Sequence, residues 1–247
     1  MQATRIDFIA MPVADLARAD AFYGDTLGLA RNPHSSGDRW VEYETGNLTL
    51  ALSTFGGSVA LGVPDVDEAR SELEAEGTSF AMDTFDSGVC HGAPFADPDG
   101  NRLQLHHRYA PQEPFDVPTQ DVLRTDFVGV NVRDRSRASE FYGGTLGLGR
   151  NPLSSDEWPE FEASNVGLLL STPEQKGGGE YAPEYGVALR VADVKDSMER
   201  LADAGVEFEF PEPYDSGVCH LAFFADPDGN GLMLHRRYAP YSDGREP

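Results

Sequence analysis

Lysine is scarce in this chain, and so are cysteine and long apolar runs. Lys occurs only at positions 176 and 195, so arginine carries nearly all of the positive charge. Acidic residues outnumber basic ones by 42 to 19, and the formal net charge is −23 at pH 7. Nucleic acids and anionic membranes are bound largely through Lys and Arg, so we expect neither as a partner. The acidic excess suits either a salt-adapted surface or a coding bias, and it does not indicate an activity.

The two cysteines, Cys90 and Cys219, are too few for a disulfide framework in a chain of 247 residues. They occupy matching positions in a repeat, where small buried strand residues are one interpretation. No apolar run approaches the roughly 20 residues that a membrane-spanning helix needs. The N-terminus also lacks a basic segment followed by an apolar stretch, which would mark a secretory signal. We therefore expect a cytoplasmic protein.

A hairpin that occurs twice is the strongest pattern in the sequence. Asp-Ser-Gly-Val-Cys-His begins at Asp86 and again at Asp215, and each copy leads into Asp-Pro-Asp-Gly-Asn, at 97–101 and 226–230. In this turn the proline sets φ, the first aspartate accepts a backbone hydrogen bond, and the glycine supplies a positive φ. Each copy therefore predicts two antiparallel strands joined by a tight turn.

The turn also predicts which strand residues share a face. If Ala96 lies opposite Arg102, then His91 lies opposite His107, because the pairing is antiparallel. Side chains alternate between the faces of a sheet, so His91 points away from the face that carries His106. A bulge at Gly100 or beyond could instead turn His91 inward. In the regular register Cys90, Pro94, Gln104 and His106 share one face of the hairpin.

Each half of the chain is itself a repeat of one strand, one helix and three strands. Val-Ala-Asp-Leu at 13–16 and Val-Pro-Asp-Val at 63–66 start equivalent helices, with Asp15 and Asp65 as N-caps. We expect the first of these helices to run to Leu27, and we expect a strand at 79–85 after the second. The sequence Phe-Tyr-Gly-x-Thr-Leu-Gly-Leu occurs at 22–29 and again at 141–148. This pattern predicts a first domain at 1–112, a linker at 113–120, a second domain at 121–240 and a tail at 241–247.

These motifs together resemble the vicinal oxygen chelate superfamily, which includes glyoxalase I, extradiol dioxygenases, fosfomycin-resistance enzymes and bleomycin-resistance proteins. The resemblance rests on Val-x-Asp-Leu before a helix with Phe-Tyr-x-x-x-Leu-Gly-Leu, followed later by Asp-Pro-Asp-Gly-Asn, and it covers nearly the whole chain twice. It implies an α+β fold of tandem glyoxalase-like domains. Each domain would consist of two βαβββ modules that form a curved sheet around a cavity.

Metal-binding members of this superfamily carry ligands at fixed positions, and here those positions hold poor donors. Phe, Ala, Leu, Gly and Met offer no oxygen or imidazole donor, and Ser and Gln are weak ligands. We therefore expect no metal site and no cofactor, with a divalent metal such as Fe, Zn, Ni or Mn as the alternative. The resemblance maps the four ligand positions onto Phe8, Ala51, Ser58 and Gln104 in the first half and onto Phe127, Leu169, Gly186 and Met233 in the second.

Four of the six histidines fall at matched positions, His91 with His220 and His106 with His235. We predict His106 and His235 as polar anchors or proton-transfer groups, because an unperturbed histidine titrates near neutral pH. The alternative is that each closes a strand end through backbone hydrogen bonds. Cys90 and His91 are not expected to act as a nucleophile and base, since adjacent strand residues face opposite ways. The predicted ligand-binding positions are Phe8, Cys90, His91, Gln104, Phe127, Cys219, His220 and Met233.

The sequence leaves three functional hypotheses open. The first is a protein that binds a small apolar or aromatic molecule without the usual metal, similar to bleomycin-resistance proteins. The second is a glyoxalase-like lyase or isomerase, or a dioxygenase-type oxidoreductase, that uses His106 and His235 or an unusual metal. The third is an assembly role in which one half has become mainly structural. We expect a small-molecule ligand as the partner and either a monomer that mimics a dimer or a homodimer.

Overall fold

The structure is a computed structural model, and it describes residues 3–240 except Ser36, Gln112, Leu153 and Gly177. The predicted tail at 241–247 lies outside these residues, and so does Gln112 at the predicted boundary of the first domain. None of the helices within the described ranges combines the length and the apolarity that crossing a membrane requires.

Eight strands and two helices make up the first half. Helix α1 is Leu16–Ala21, and it continues as a π turn at Phe22–Thr26, while helix α2 is Val66–Ala75. The strands are β1 Arg5–Pro12, β2 Ala30–Arg31, β3 Trp40–Glu44, β4 Thr49–Ser53, β5 Ser58–Gly62, β6 Phe85–Asp86, β7 Cys90–Ala96 and β8 Arg102–Arg108.

The second half repeats this order of elements. Helix α3 is Arg135–Glu140, followed by a π turn at Phe141–Thr145, and helix α4 is Val194–Asp203. A short 3-10 helix at Pro173–Lys176 has no counterpart among the described residues of the first half. The strands are β9 Val122–Asn131, β10 Gly149–Arg150, β11 Glu160–Glu162, β12 Gly167–Ser171, β13 Tyr185–Val191, β14 Tyr214–Asp215, β15 Cys219–Ala225 and β16 Gly231–Arg237.

The strands form two open eight-stranded sheets with the same topology. Their orders are β2-β3-β4-β1-β5-β8-β7-β6 and β10-β11-β12-β9-β13-β16-β15-β14. β5 and β8 run parallel at the centre of the first sheet, and β13 and β16 do so in the second. The predicted α+β fold of tandem domains with curved sheets is confirmed.

Local sequence signals explain where the elements begin and turn. The Asp15 carboxylate accepts a hydrogen bond from the Arg18 backbone N–H, and Asp65 caps α2 through Glu68 in the same way. Asp97 Oδ1 accepts a hydrogen bond from the Asp99 N–H at 2.9 Å, and Gly100 has φ of 92°. The predicted hairpin register, with Ala96 opposite Arg102, is confirmed.

Two predicted elements differ from the structure. The strand expected at 79–85 is reduced to a single bridge at Phe80 and the short strand β6. The Phe80 ring packs against Phe95 with centroids 5.3 Å apart, whereas the Met82 side chain is exposed. The Met82 carbonyl accepts a hydrogen bond from Arg70 of α2 at 2.9 Å, so the segment turns to the helix and does not continue the ladder. The helix expected to run to Leu27 changes to a π turn, because the Leu27 N–H bonds the carbonyl of Phe22 at 2.9 Å.

The described residues divide by their contacts into two compact units, and each unit contains segments of both halves. The first unit comprises the chain up to Ala10 together with Gly57–Pro114 and Gly129–Tyr185. The second comprises Met11–Gly56, Phe115–Val128 and the chain from Gly186 onward. The domain boundaries inferred from the repeat remain a prediction.

Within each unit, the repeated turn of one half binds the repeated Phe-Tyr motif of the other half. In the first unit the buried Tyr142 hydroxyl donates to Asp97 Oδ2 at 3.0 Å. In the second unit Tyr23 donates to Asp226 Oδ2, also at 3.0 Å. Burial and the adjacent aspartate raise the pKa of both tyrosines well above the ordinary value, so both hydroxyls stay protonated.

Candidate functional site

His106 is the centre of a buried polar cluster in the first unit. It lies on β8, with Gly62 of β5 on one side and Gly92 of β7 on the other. The side chain is about 10% exposed, and its Nδ1 lies 2.6 Å from Oδ2 of Asp7 on β1. A histidine held in this way has a fixed ring orientation, with Nε2 left for another partner.

The Asp7 carboxylate reaches His106 because of two local features of β1 and β5. The β1–β5 ladder shifts register between Ile6 and Phe8, which places Asp7 in a bulge. Gly62 leaves room for the carboxylate, since a Cβ atom there would lie 2.9 Å from Asp7 Oδ1. Arg5 Nε lies 2.7 Å from the same oxygen and balances part of its charge.

Cys90 completes the cluster on the other side of His106. Cys90 is paired with Arg108 and Gly92 with His106, so Cys90 and His106 are diagonal neighbours on one face of the hairpin. The Cys90 side chain lies beside His106 on this face, and Ser87 Oγ lies 3.0 Å from its sulfur. The first unit thus contains a continuous chain of Cys90, His106 and Asp7.

The contacts within this cluster shift the pKa of His106 and the pKa of Cys90. Burial lowers the pKa of His106, but hydrogen bonds with Asp7 and Cys90 outweigh it and raise the pKa to about 9. Burial raises the pKa of the Cys90 thiol, but hydrogen bonds with His106 and Ser87 bring the net pKa below its ordinary value. At neutral pH His106 is therefore an imidazolium.

The second unit repeats the cluster with His235, Asp126 and Cys219. His235 Nδ1 lies 2.5 Å from Asp126 Oδ2, and Cys219 is the diagonal neighbour of His235 on the same face of the hairpin. Burial lowers the pKa of His235, and the hydrogen bonds with Asp126 and Cys219 raise it to about 9. Cys219 is buried, whereas Cys90 is partly exposed.

The cation beside the aspartate comes from a different strand in each unit. Arg190 on β13 lies where the first half has Gly62, and its Nε is 2.8 Å from Asp126 Oδ1. Arg124, the counterpart of Arg5, is farther away at 3.8 Å. A positive charge next to the carboxylate is therefore present in both clusters although the residue that supplies it has moved.

Phe8 and Phe127 lie against the two histidines. The Phe8 ring meets His106 edge-on, with centroids 5.3 Å apart, and Phe127 meets His235 at 5.7 Å. Gln104 is partly buried next to Gly92, where a Cβ atom would lie 2.8 Å from its Nε2. Its counterpart Met233 is partly buried opposite Phe223.

His91 and His220 do not join these clusters. Both lie on the opposite face of their hairpins and are exposed, at 46% and 47% of their side chains. His91 packs against Tyr109 with ring centroids 5.0 Å apart, and His220 packs against Tyr238 at 4.8 Å. Their predicted role in ligand binding remains untested, but the structure separates them from His106 and His235.

The sequence interpretation missed Asp7 and Asp126, which hold the two histidines. One signal was present: Arg-x-Asp-Phe occurs at 5–8 and again at 124–127. Only the phenylalanine was singled out, because it occupies a ligand position of the family. Regular alternation along β1 places adjacent side chains on opposite faces, so the bulge was needed to bring Asp7 and Phe8 to the same histidine.

The donors at the family's ligand positions do not suit a divalent metal. Phe8, Ser58 and Gln104 supply at most two neutral oxygens, and Nδ1 of His106 is already bonded to Asp7. Among the residues that the structure describes, no group of three or more His, Cys, Asp or Glu side chains could hold a metal ion. A metal bound at the usual positions would therefore lack the charged or imidazole ligands that hold such an ion.

Two sheets of identical topology, built from βαβββ modules and each with a largely buried histidine bonded to an aspartate, define a glyoxalase-like protein. The chain belongs to the Glyoxalase/Bleomycin resistance protein/Dioxygenase superfamily, whose model matches residues 5–105 and 124–234. The resemblance inferred from the sequence is confirmed. No curated protein sequence matches the chain.

Solved structures share this fold at low sequence identity. The Mn(II)-bound glyoxalase from Novosphingobium aromaticivorans has a TM-score of 0.72 and 17% identity, over 95% of this chain and 82% of that one. The 2,3-dioxygenase LapB from Pseudomonas sp. KL28 has a TM-score of 0.70 and 12% identity, over 100% of this chain and 97% of that one. Homoprotocatechuate 2,3-dioxygenase from Brevibacterium fuscum, in complex with 3,4-dihydroxyphenylacetate, has a TM-score of 0.68 and 15% sequence identity. The match covers 96% of this chain and 81% of that one.

These comparisons correct one prediction. The sequence led us to expect no cofactor, because Phe8 and Phe127 replace a ligand. That prediction is wrong, because the structural neighbours indicate a divalent metal and the Novosphingobium glyoxalase is Mn(II)-bound.

Proposed function

We propose that each half of this chain binds a small apolar or aromatic molecule beside its buried histidine, His106 in the first half and His235 in the second. The observation that carries the proposal is the repeated arrangement of phenylalanine, histidine and aspartate, in which Phe8 and Phe127 lie edge-on to the histidines. Binding sites for small molecules typically combine an apolar lining with a few fixed polar groups.

The chemistry of the cluster supports an aromatic ligand that carries oxygen. Phe8 offers an aromatic surface, and edge-to-face contacts between rings add to the gain from apolar burial. His106, with a pKa of about 9, is a cation at neutral pH and favours a phenolate or carboxylate oxygen. A neighbour of the same fold binds such a compound, 3,4-dihydroxyphenylacetate.

A second candidate is a lyase or isomerase that transfers protons through His106 and His235. The observation that favours it is the hydrogen bond from each histidine to an aspartate, which keeps the ring protonated and oriented. A positioned imidazolium is a general acid for a substrate oxygen or carbon. A glyoxalase has the same fold, which supports a lyase activity.

Ligand-induced stabilisation tests the proposal, because a compound that binds the folded state raises Tm. Catechol and 3,4-dihydroxyphenylacetate are the probes, and cyclohexanol at the same concentration is the apolar non-aromatic control. We expect the aromatic probes to raise Tm of the wild type. The double variant His106→Gln/His235→Gln should lose this rise, while the exposed double variant His91→Gln/His220→Gln should keep it.

A rise in Tm that is equal in both double variants contradicts the proposal. Elemental analysis of the same preparation, purified without chelator, establishes whether a divalent metal accompanies the chain. Product analysis after incubation with each probe separates the two candidates, since a binding protein returns its ligand unchanged. We also propose a monomer or homodimer, and light scattering after gel filtration distinguishes them.

A further inference from the structure

We propose that Cys90 is a nucleophile that forms a thioether with small molecules carrying an activated alkene, with His106 as the proton donor and Asp7 as the residue that positions His106. This goes beyond reversible binding at the histidines. It does not require an aromatic ligand, so its failure and that of the proposed function are separate outcomes.

The geometry of the hairpin brings the reacting groups together. The β7–β8 register pairs Cys90 with Arg108 and Gly92 with His106, so Cys90 and His106 are diagonal neighbours on one face of the hairpin. Asp7 occupies Nδ1 of His106, so Nε2 is the nitrogen that remains for the thiol. The order cysteine, histidine, aspartate is that of an activated nucleophile, its base and the group that orients the base.

The electrostatics around the sulfur favour its ionised form. The Ser87 hydroxyl, 3.0 Å from the sulfur, and the charge of Arg108 act with His106 to favour the thiolate. Burial opposes these contacts, yet the pKa of Cys90 lies below its ordinary value. The thiolate is the reactive form of cysteine, and a thiol of this kind combines reactivity with access.

The two cysteines differ in their accessibility. Cys90 is partly exposed and follows the exposed turn at 86–89, whereas Cys219 is 8% exposed. On the same face, two residues after the cysteine, the first half has Gly92 and the second half has Leu221. The chain therefore contains its own control, a similar cluster whose sulfur is covered.

The reaction balances without an oxidant or another reactant. The Cys90 thiolate attacks the β-carbon of an α,β-unsaturated carbonyl compound, and a carbon–sulfur bond forms. The electron pair of the alkene moves to the α-carbon, which takes the proton from Nε2 of His106. The products are a thioether and a neutral imidazole, and Asp7 keeps its charge throughout.

Two reagents separate the roles of the thiolate and of the proton donor. Acrylamide adds through its alkene and needs a proton, whereas iodoacetamide alkylates the sulfur by loss of iodide and needs none. Intact-protein mass and peptide mapping follow both reactions at each cysteine. At pH 7 we expect Cys90 to react with acrylamide at least tenfold faster than Cys219 and than glutathione.

Variants of the two other residues identify their roles. His106→Gln should slow acrylamide addition more than iodoacetamide alkylation, each measured at Cys90. Asp7→Asn should move the pH–rate profile of Cys90, because Asp7 raises the pKa of His106 and the charge of His106 favours the thiolate. Two other cations lie near this group: Arg5 pairs with Asp7, and the charge of Arg108 also favours the thiolate. Cys219→Ser should leave the rate at Cys90 unchanged, which provides the matched control.

The proposal is overturned if Cys90 reacts at the rate of glutathione with the pH profile of a free thiol. It is also overturned if His106→Gln slows both reagents equally, since His106 then does not deliver the proton. Should His106→Gln fail to fold, the wild-type pH profile and Asp7→Asn still decide between these outcomes.

Discussion

Gly62 lies so close to Asp7 that a Cβ atom on it would be 2.9 Å from Oδ1 and 3.0 Å from Oδ2 of the carboxylate. The same atom would lie 2.6 Å from Cγ of Arg5. The missing side chain of Gly62 in β5 therefore leaves the space that the Asp7 carboxylate occupies beside His106.

Gly62→Ala should displace Asp7 and Arg5 and destabilise the protein by about 1–3 kcal/mol, because side chains in a packed sheet have little room to move. The pKa of His106 should fall below about 9 as its hydrogen bond with Asp7 is lost. Denaturant unfolding and an NMR titration measure the two effects. Gly186→Ala is the control, since a Cβ there meets only the Gly231 carbonyl at 3.6 Å among the described residues; an equal loss in both variants would contradict the explanation.

Stability should decrease as the pH rises above neutrality. The folded-state pKa of His106 and of His235 is about 9, above the ordinary value of 6.5. A histidine whose pKa is higher in the folded state stabilises the fold through its protonated form. This contribution is complete below pH 6.5 and is lost as the pH rises through about 9. Urea unfolding between about pH 6 and about pH 10 measures the decline.

The matched background for this measurement is Cys90→Ser/Cys219→Ser, which removes both thiols. Asp7 and Asp126 remain in this background, and the free energy of unfolding should still fall with rising pH. Adding His106→Gln and His235→Gln should flatten the curve in this interval. A slope that survives their removal would assign the pH dependence to other groups.

Tyr142→Phe should destabilise the first unit by about 1–2 kcal/mol. The substitution removes a hydroxyl that donates to the buried Asp97, whose Oδ2 keeps the bond from Asn101 at 2.7 Å. Tyr109→Phe is a control at the surface, where the hydroxyl donates to the exposed Asp86 at 2.6 Å. We expect this control to change stability by less than about 0.5 kcal/mol in denaturant unfolding.

Arg190→Ala should reduce stability more than Arg5→Ala, although both arginines pair with the aspartate of a cluster. Arg190 and Asp126 have side chains only 19% and 9% exposed, whereas Arg5 is 53% exposed. A shielded pair leaves a poorly solvated charge when one partner is removed, so we expect about 2 kcal/mol for Arg190→Ala. For Arg5→Ala we expect below about 1 kcal/mol. Equal losses by calorimetry would show that burial does not distinguish the pairs.

Much of the fold was predictable from short-range signals. Asp15 and Asp65 cap helices as their positions suggest, and the turn at 97–101 sets the register of its hairpin. These elements are fixed by a few adjacent residues, so a sequence pattern is enough. The lost strand at 79–85 depends instead on which side chains find a surface to pack on, and Phe80 does so while Met82 does not.

The candidate site was predictable only in part. Strand alternation placed Cys90 and His106 on one face, and the structure has both there. The partnership with Asp7 depends on a bulge and on the space above Gly62, and neither follows from hydrophobic periodicity. Long-range contacts of this kind join residues separated by 99 positions, as Asp7 and His106 are.

The hydrogen bonds from Tyr142 to Asp97 and from Tyr23 to Asp226 each join a residue of one half to a residue of the other. A fragment that stopped within 113–120 would retain Tyr23 and Asp97, yet it would leave behind the group that each of them needs. Separate fragments of the two halves could form these hydrogen bonds only after they associate in solution, and dilution would slow that association. Fusion into one polypeptide replaces that bimolecular encounter with an intramolecular one, so complementation should persist however little of the protein a cell contains.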